Sequence, residues 1–331
     1  GYGSLFTNST GSSNTALGRT ALYTNSTGSY NVGIGYSALY ANTTASRNVA
    51  VGYAALDATN TGTDNIAIGY NSLGLNTTGY FNVSIGSNAL DANVTGAANT
   101  AVGYNALSAC TTDGNTAFGK DALELCTTGV NTAIGGNALA AVTTGTGNTA
   151  VGQDALTLNT AGENTAVGAL CLDANTTGSE NTAIGRTALT TNETGDDNTA
   201  VGRNSLGANT TGSLNVAVGH QALDANTTAN SNVALGASAL GLNTTGAANI
   251  AIGYASLDAN DTGNYNVGVG HETLSANTAS NNVAVGYSAL LLNTTGSHNV
   301  AVGYGTLDAN TTGQLNVAVG YNALTAQNTD A

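Results

Sequence analysis

The chain has 331 residues, nineteen acidic and five basic, for a net charge of −14, and it contains no Pro, Met or Trp. Cations this sparse, at Arg19, Arg47, Lys120, Arg186 and Arg203, do not make a phosphate-binding surface, so nucleic acid is not an expected partner. No apolar run approaches the roughly 20 residues of a membrane span, and no basic segment precedes an apolar one, so membrane insertion is not expected and the chain reads as a mature product or excised fragment.

Gly1 to Ser13 reads as the tail of an incomplete block. From Asn14 onward a block opening on Asn, a β-branched residue, a small residue, an aliphatic residue and Gly recurs every 16 or 17 residues, with its first Asn at 14, 31, 48, 65 and so on to 316. A period this short, sustained along the chain, marks a solenoid whose units stabilise one another by stacking. The prediction is one repetitive all-β domain over 1–331, with a partial block at 1–13 and repeats over 14–331, forming a parallel β-roll of about twenty coils. At about 4.8 Å per coil that is a rod on the order of 95 Å long. Missing Pro suits a backbone whose N–H groups are committed to ladders.

Counting from the Asn, positions 1 to 5 alternate as a β-strand does. Asn14, Asn31, Asn48 and Asn65 open the first blocks, and Gly18, Gly35, Gly52 and Gly69 end their strands in a turn. Positions 2 and 4 form one apolar face, and positions 1, 3 and 5 form a second of Asn, Ala and Gly that carries no charge. A parallel strand without charge on either face needs cover on both. A coil with two strands covers one of them, so the Ala/Gly face is expected to meet another copy of the chain. A second short strand is expected around the small residue at position 8 and the Leu at position 9, as in Leu22, Leu39, Leu56 and Leu73.

Position 6 carries runs of Tyr: Tyr36, Tyr53 and Tyr70, then Tyr287, Tyr304 and Tyr321. Such columns hold neighbouring coils together or offer a platform for a sugar ring, and they are the candidate ligand surface. Position 10 carries Asp57, Asp91, Glu124, Asp173, Asp224, Asp258 and Asp308, no two in adjacent blocks, so like charges never stack. Carboxylates kept apart in this way do not converge on a calcium ion.

Asn at position 12 suits an inward amide ladder. Its replacement by Cys110, Cys126 and Val142 in three consecutive blocks agrees with an apolar surrounding, and an inward amide leaves no room for a glycan on sequences such as Asn25-Ser26-Thr27. Thr at position 14, as in Thr44, Thr78, Thr177 and Thr295, forms a ladder-spaced row of the kind an ice-binding solenoid uses, though in a turn. Cys110 and Cys126 share a column within disulfide reach, but all three Cys, including Cys171, read as small buried apolar groups. His220, His271 and His298 lie in separate blocks with no fixed acid, nucleophile or second His. Catalytic, cofactor and metal residues are therefore expected to be none.

Segments such as Asn65-Ile66-Ala67-Ile68-Gly69 and Asn299-Val300-Ala301-Val302-Gly303 resemble the repeats of trimeric autotransporter adhesin heads, and the longer block is similar to repeats in phage and virus tail-fibre shafts. The resemblance covers nearly the whole chain. It implies a left-handed roll, a homotrimer and exposure outside a cell or on a virion. The function it implies is a structural fibre or adhesive shaft, with a cell-surface glycan or host receptor as the partner of an adhesin head. The 17-residue blocks are longer than those of adhesin heads, and no coiled-coil stalk or membrane anchor is seen.

Overall fold

A computed structural model describes residues 1–325; the last six residues of the expected repeat, 326–331, lie outside the described residues. The chain is all-β, and its described residues fall into two compact units, Gly1–Glu163 and a second that begins at Asn164. Each unit is a parallel β-solenoid. The first holds strands β1 (Thr15–Leu17) to β9 (Thr149–Val151), and the second holds β10 (Thr165–Val167) to β19 (Val317–Val319), each of three residues. Strands pair one coil apart in strict register, as in Val49↔Ile66, Ala50↔Ala67 and Val51↔Ile68, or Thr199↔Val216 and Ala200↔Ala217.

There is one strand per coil, not two. The expected second strand is a bent segment in which the backbone turns left-handed at positions 7 and 9, with φ of 54° at Thr20, 52° at Leu22, 55° at Ser37 and 53° at Leu39. A left-handed Leu costs about 1–2 kcal/mol, yet the same column recurs through both units. Two gains offset it. The bend aims N–H and C=O groups along the stacking axis, so Ser37 N donates back to Arg19 O at 3.1 Å while Leu39 N donates forward to Ala55 O at 3.0 Å. The Leu side chain is also fully buried, worth about 1.5–3 kcal/mol.

The two faces of the strand are the reverse of the expectation. Ala50, Ala67, Ala101 and their equivalents at position 3 are fully buried, and so are the Asn at position 1 from Asn31 to Asn99. The β-branched residues at positions 2 and 4 point outward, half-exposed. Alternation separates two faces without saying which is inside; the width of the coil decides that. A Cβ built on Gly33 would lie 3.3 Å from Cγ of Leu22 and 3.2 Å from Ala38 O, so a methyl group fills the gap and a β-branched side chain does not fit. Polar exchanges follow the same limit. Where position 8 is Ser256, whose Oγ bonds Gly268 O at 3.0 Å, the facing residue is Gly268, on which a Cβ would meet that Oγ at 2.6 Å.

Two columns of asparagine run inside each unit. The carbonyl at position 15 accepts both amides of its own coil: Ala45 O takes Asn31 Nδ2 at 2.8 Å and Asn42 Nδ2 at 3.1 Å. Asn31 Oδ1 then accepts Asn48 N at 3.0 Å, and Asn42 Nδ2 donates to Asn25 Oδ1 at 2.6 Å. The same amide thus closes its coil and joins it to a neighbour. The strand-ending glycines are equally confined, since at Gly52 φ is +146° and a Cβ would lie 2.2 Å from Gly69 O.

Asn198→Ala should therefore cost about 3–5 kcal/mol. It removes the bond from Asn198 Nδ2 to Gly212 O and leaves the buried Asn215 N–H without its acceptor. Urea unfolding should show the loss, and hydrogen exchange should quicken around residues 198–215, while Thr228→Ala on the exposed turn changes stability by no more than about 0.5 kcal/mol.

Candidate interaction surfaces

With Asn, Ala and Leu inside, whatever the chain does with other molecules falls to its outward columns. The broadest is the strand face. Ile66 and Ile68 are each 38% exposed, Ile134 41%, Ile184 41% and Ile250 38%, and no strand residue bears a charge. In the first unit positions 2 and 4 are aliphatic from Val32 to Ile85, and the last four strands carry outward Thr at position 2: Thr100, Thr116, Thr132 and Thr149. In the second unit Thr165, Thr182 and Thr199 come first, and aliphatic residues follow from Val216 to Val319.

The tyrosines singled out at position 6 do form columns. Rings of Tyr36 and Tyr53 stack at 5.1 Å and those of Tyr53 and Tyr70 at 5.4 Å, and Arg19 lies over Tyr36 at 5.7 Å. In the second unit Tyr287, Tyr304 and Tyr321 stack at 5.1 and 5.2 Å. That column continues backwards through His271 to Tyr254, and Phe6, Tyr23 and Tyr40 make a further stack at position 10. Equal block position would have found both additions. Rings stacked face to face show solvent their edges and hydroxyls, whereas a sugar packing on an aromatic ring needs an open face. Cohesion between coils, about 0.5–1.5 kcal/mol per pair, is what this geometry supplies.

The acidic column lies against the bend. Burial pushes the carboxyls of Asp57, Asp91 and Asp258 above the ordinary range. Asp64 moves the other way, held down by its bond to the exposed Arg47 guanidinium, Nε to Oδ1 at 2.6 Å. A hollow of about 210 Å³ lies between Asp224 and Asp258, lined also by Gln221 and Ser238, and broader open grooves of about 450 and 520 Å³ are lined by Thr24, Thr43 and Thr77 in the first unit and by Thr187, Thr191 and Leu242 in the second. Among the described residues no three His, Cys, Asp or Glu side chains are grouped to hold a metal ion, and no helix is long and apolar enough to cross a membrane. His220 bonds the stacked Arg203 at 2.7 Å, His271 lies 3.7 Å from Glu272, and the exposed His298 Nδ1 lies 3.1 Å from Oγ of the adjacent Ser297. The three thiols are buried. Cys171 donates to Ala183 O at 3.2 Å, and burial pushes its thiol up to about 12. No protein-family model and no curated protein matches this chain.

The raised carboxyls set a pH dependence. Each of the three binds its proton more tightly folded than unfolded, so its contribution to stability is complete below the ordinary carboxylate range and is lost as pH rises through the folded value. Thermal melts should therefore rise as pH falls from 7 toward the ordinary carboxylate range. Asp258→Asn should raise the melting temperature at pH 7 and flatten that slope; the opposing Asp64 sits in an exposed pair of little weight.

Proposed function

We propose that this chain is a structural segment of an extracellular fibre or adhesive shaft, without catalysis, assembled from copies of itself through the outward strand face. The observation that carries this is the uncharged aliphatic stripe repeated coil after coil. Full burial of a Val or Ile is worth about 1.5–3 kcal/mol, so the exposed third or so that remains is worth about 0.5–1 kcal/mol per residue and about 1–2 kcal/mol per coil. Association costs on the order of 4–15 kcal/mol. One or two coils fall short of this, and roughly eight, at about 8–16 kcal/mol, reach its upper end. A second copy is the partner that fits best, since it presents the same uncharged stripe at the same coil spacing and each unit can match it along its length. The surface that another chain covers is thus the aliphatic one rather than the alanine one. Three copies around one axis is the arrangement that the likeness to adhesin heads implies.

In solution the full chain should have three times the 32.4 kDa mass of one copy. Replacing Ile68 and Ile250 by Glu, one in each unit, should reduce it to a single copy with an unchanged circular dichroism spectrum. A monomeric parent chain at micromolar concentration would refute the proposal.

A second reading, binding to an ice surface, rests on a different column from the turn threonines. Thr100, Thr116, Thr132 and Thr149 stand on a flat strand face at ladder spacing, alternating with Val102, Phe118, Ile134 and Val151. Hydroxyl and methyl groups in such a row can anchor ordered water. Thermal hysteresis that disappears on Thr116→Lys with Thr132→Lys would establish this reading, and growth of ice at its equilibrium freezing point would dismiss it.

A further inference from the structure

The inner asparagine column is broken in the first unit. Asn93 is followed one coil on by Cys110, then Cys126, then Val142, and all four are fully buried. Asn93 Nδ2 still donates to Asn76 Oδ1 at 3.1 Å, but Asn93 Oδ1, which the next amide would have met, is buried with no partner. Neither Cys coil has a position-12 amide to close its turn. The thiols turn to nearby carbonyls, Cys110 Sγ to Thr112 O at 3.7 Å and Cys126 Sγ to Thr128 O at 3.3 Å. Asn115 touches both sulfurs, with Nδ2 3.5 Å from Cys110 Sγ and Oδ1 4.0 Å from Cys126 Sγ.

We propose that Cys110 and Cys126 are a disulfide-forming pair, and that the bond replaces the interrupted amide ladder with a covalent link between consecutive coils. Register places them for it. Leu107 N bonds Ala122 O at 3.0 Å and Ala109 N bonds Glu124 O at 3.0 Å, so the cysteines that follow stack one coil apart. A spacing of about 4.8 Å lies inside the 4.4–6.8 Å between Cα atoms that a disulfide spans. Elsewhere in this column the side-chain tips of adjacent coils meet, as Asn209 Nδ2 and Asn192 Oδ1 do at 2.7 Å. Each thiol also perturbs the other, with Cys110 drawn down and Cys126 pushed up by its neighbour.

Cys110, whose contact to its carbonyl is the longer of the two, is the attacking sulfur. It displaces one thiolate from a small-molecule disulfide and forms a mixed disulfide; Cys126, losing its proton to solvent, then attacks the Cys110 sulfur and releases the second thiol. The two protein thiols give up two protons and two electrons, and the reagent is reduced to two thiols. Because both sulfurs are buried, reaction waits on opening of the turn at 111–114, which has no position-12 amide to hold it shut. Cys171, in the second unit with no neighbouring Cys in its column, stays reduced.

The reduced full-length chain would be incubated with oxidised glutathione, quenched by alkylation under denaturing conditions and mapped by mass spectrometry. The expected product has lost two hydrogens, links the peptides of Cys110 and Cys126, and alkylates at Cys171 alone. Hydrogen exchange at residues 111–114 and 127–130 should slow at least tenfold in it. The Cys126→Ser chain should instead retain glutathione on Cys110. Three alkylated cysteines after prolonged incubation, or a glutathione adduct that persists on the parent chain, would overturn the pairing, and unchanged exchange in the linked product would overturn its role as a ladder replacement.

Discussion

Most coils are closed by two asparagine amides that share one carbonyl, and the rest of the structure follows from that convergence. Ala45 O receives Asn31 and Asn42, Gly79 O receives Asn65 and Asn76, and Gly246 O receives Asn232 and Asn243. A buried amide left without partners costs about 1–3 kcal/mol per group, so the interior tolerates Asn only because its oxygen and its second N–H are taken up by the coils on either side. A coil on its own would have half of these groups unpaired. Stacking is therefore a condition of folding and not an addition to it.

The narrow interior explains why the backbone accepts a conformation that ordinary residues avoid. With asparagine filling one side and a single methyl the other, the one bulky group the coil admits is Leu at position 9. The chain reaches it through a left-handed bend at positions 7 and 9. Strain of about 1–2 kcal/mol at each such residue persists because ladder bonds to the preceding and following coils over-determine the path. At the strand end even that is insufficient, and glycine is required there because any side chain would enter the carbonyl of the next coil.

Because the interior is so uniform, differences between coils have consequences mainly on the surface and at its few interior breaks. Stacked tyrosines lock neighbouring coils, and at position 10 single carboxylates alternate with neutral residues so that none there stacks on its like. The strand face is left with an apolar stripe that water covers unfavourably and a matching surface would cover well. Its weak contribution per coil, summed over many, makes association a function of length.

Period, fold class, the Leu column, the inward amide at position 12 and the stacking of Tyr36, Tyr53 and Tyr70 were all legible in the order of residues, because equal spacing places like side chains on one another whatever the coil's shape. Three things were not. Alternation at positions 1 to 5 names two faces, but only the 3.2–3.3 Å clearance around position 3 shows that alanine is the inner one and Ile66 or Val302 the outer. The small-then-Leu pattern of positions 8 and 9 suits a strand, and only the intercoil bonds of Leu39 and Ser37 reveal a left-handed bend. The orphaned oxygen of Asn93 beside two stacked thiols depends on contacts between residues seventeen apart. Local pattern decides which residues stack; the width of the closed coil decides which of them meet water.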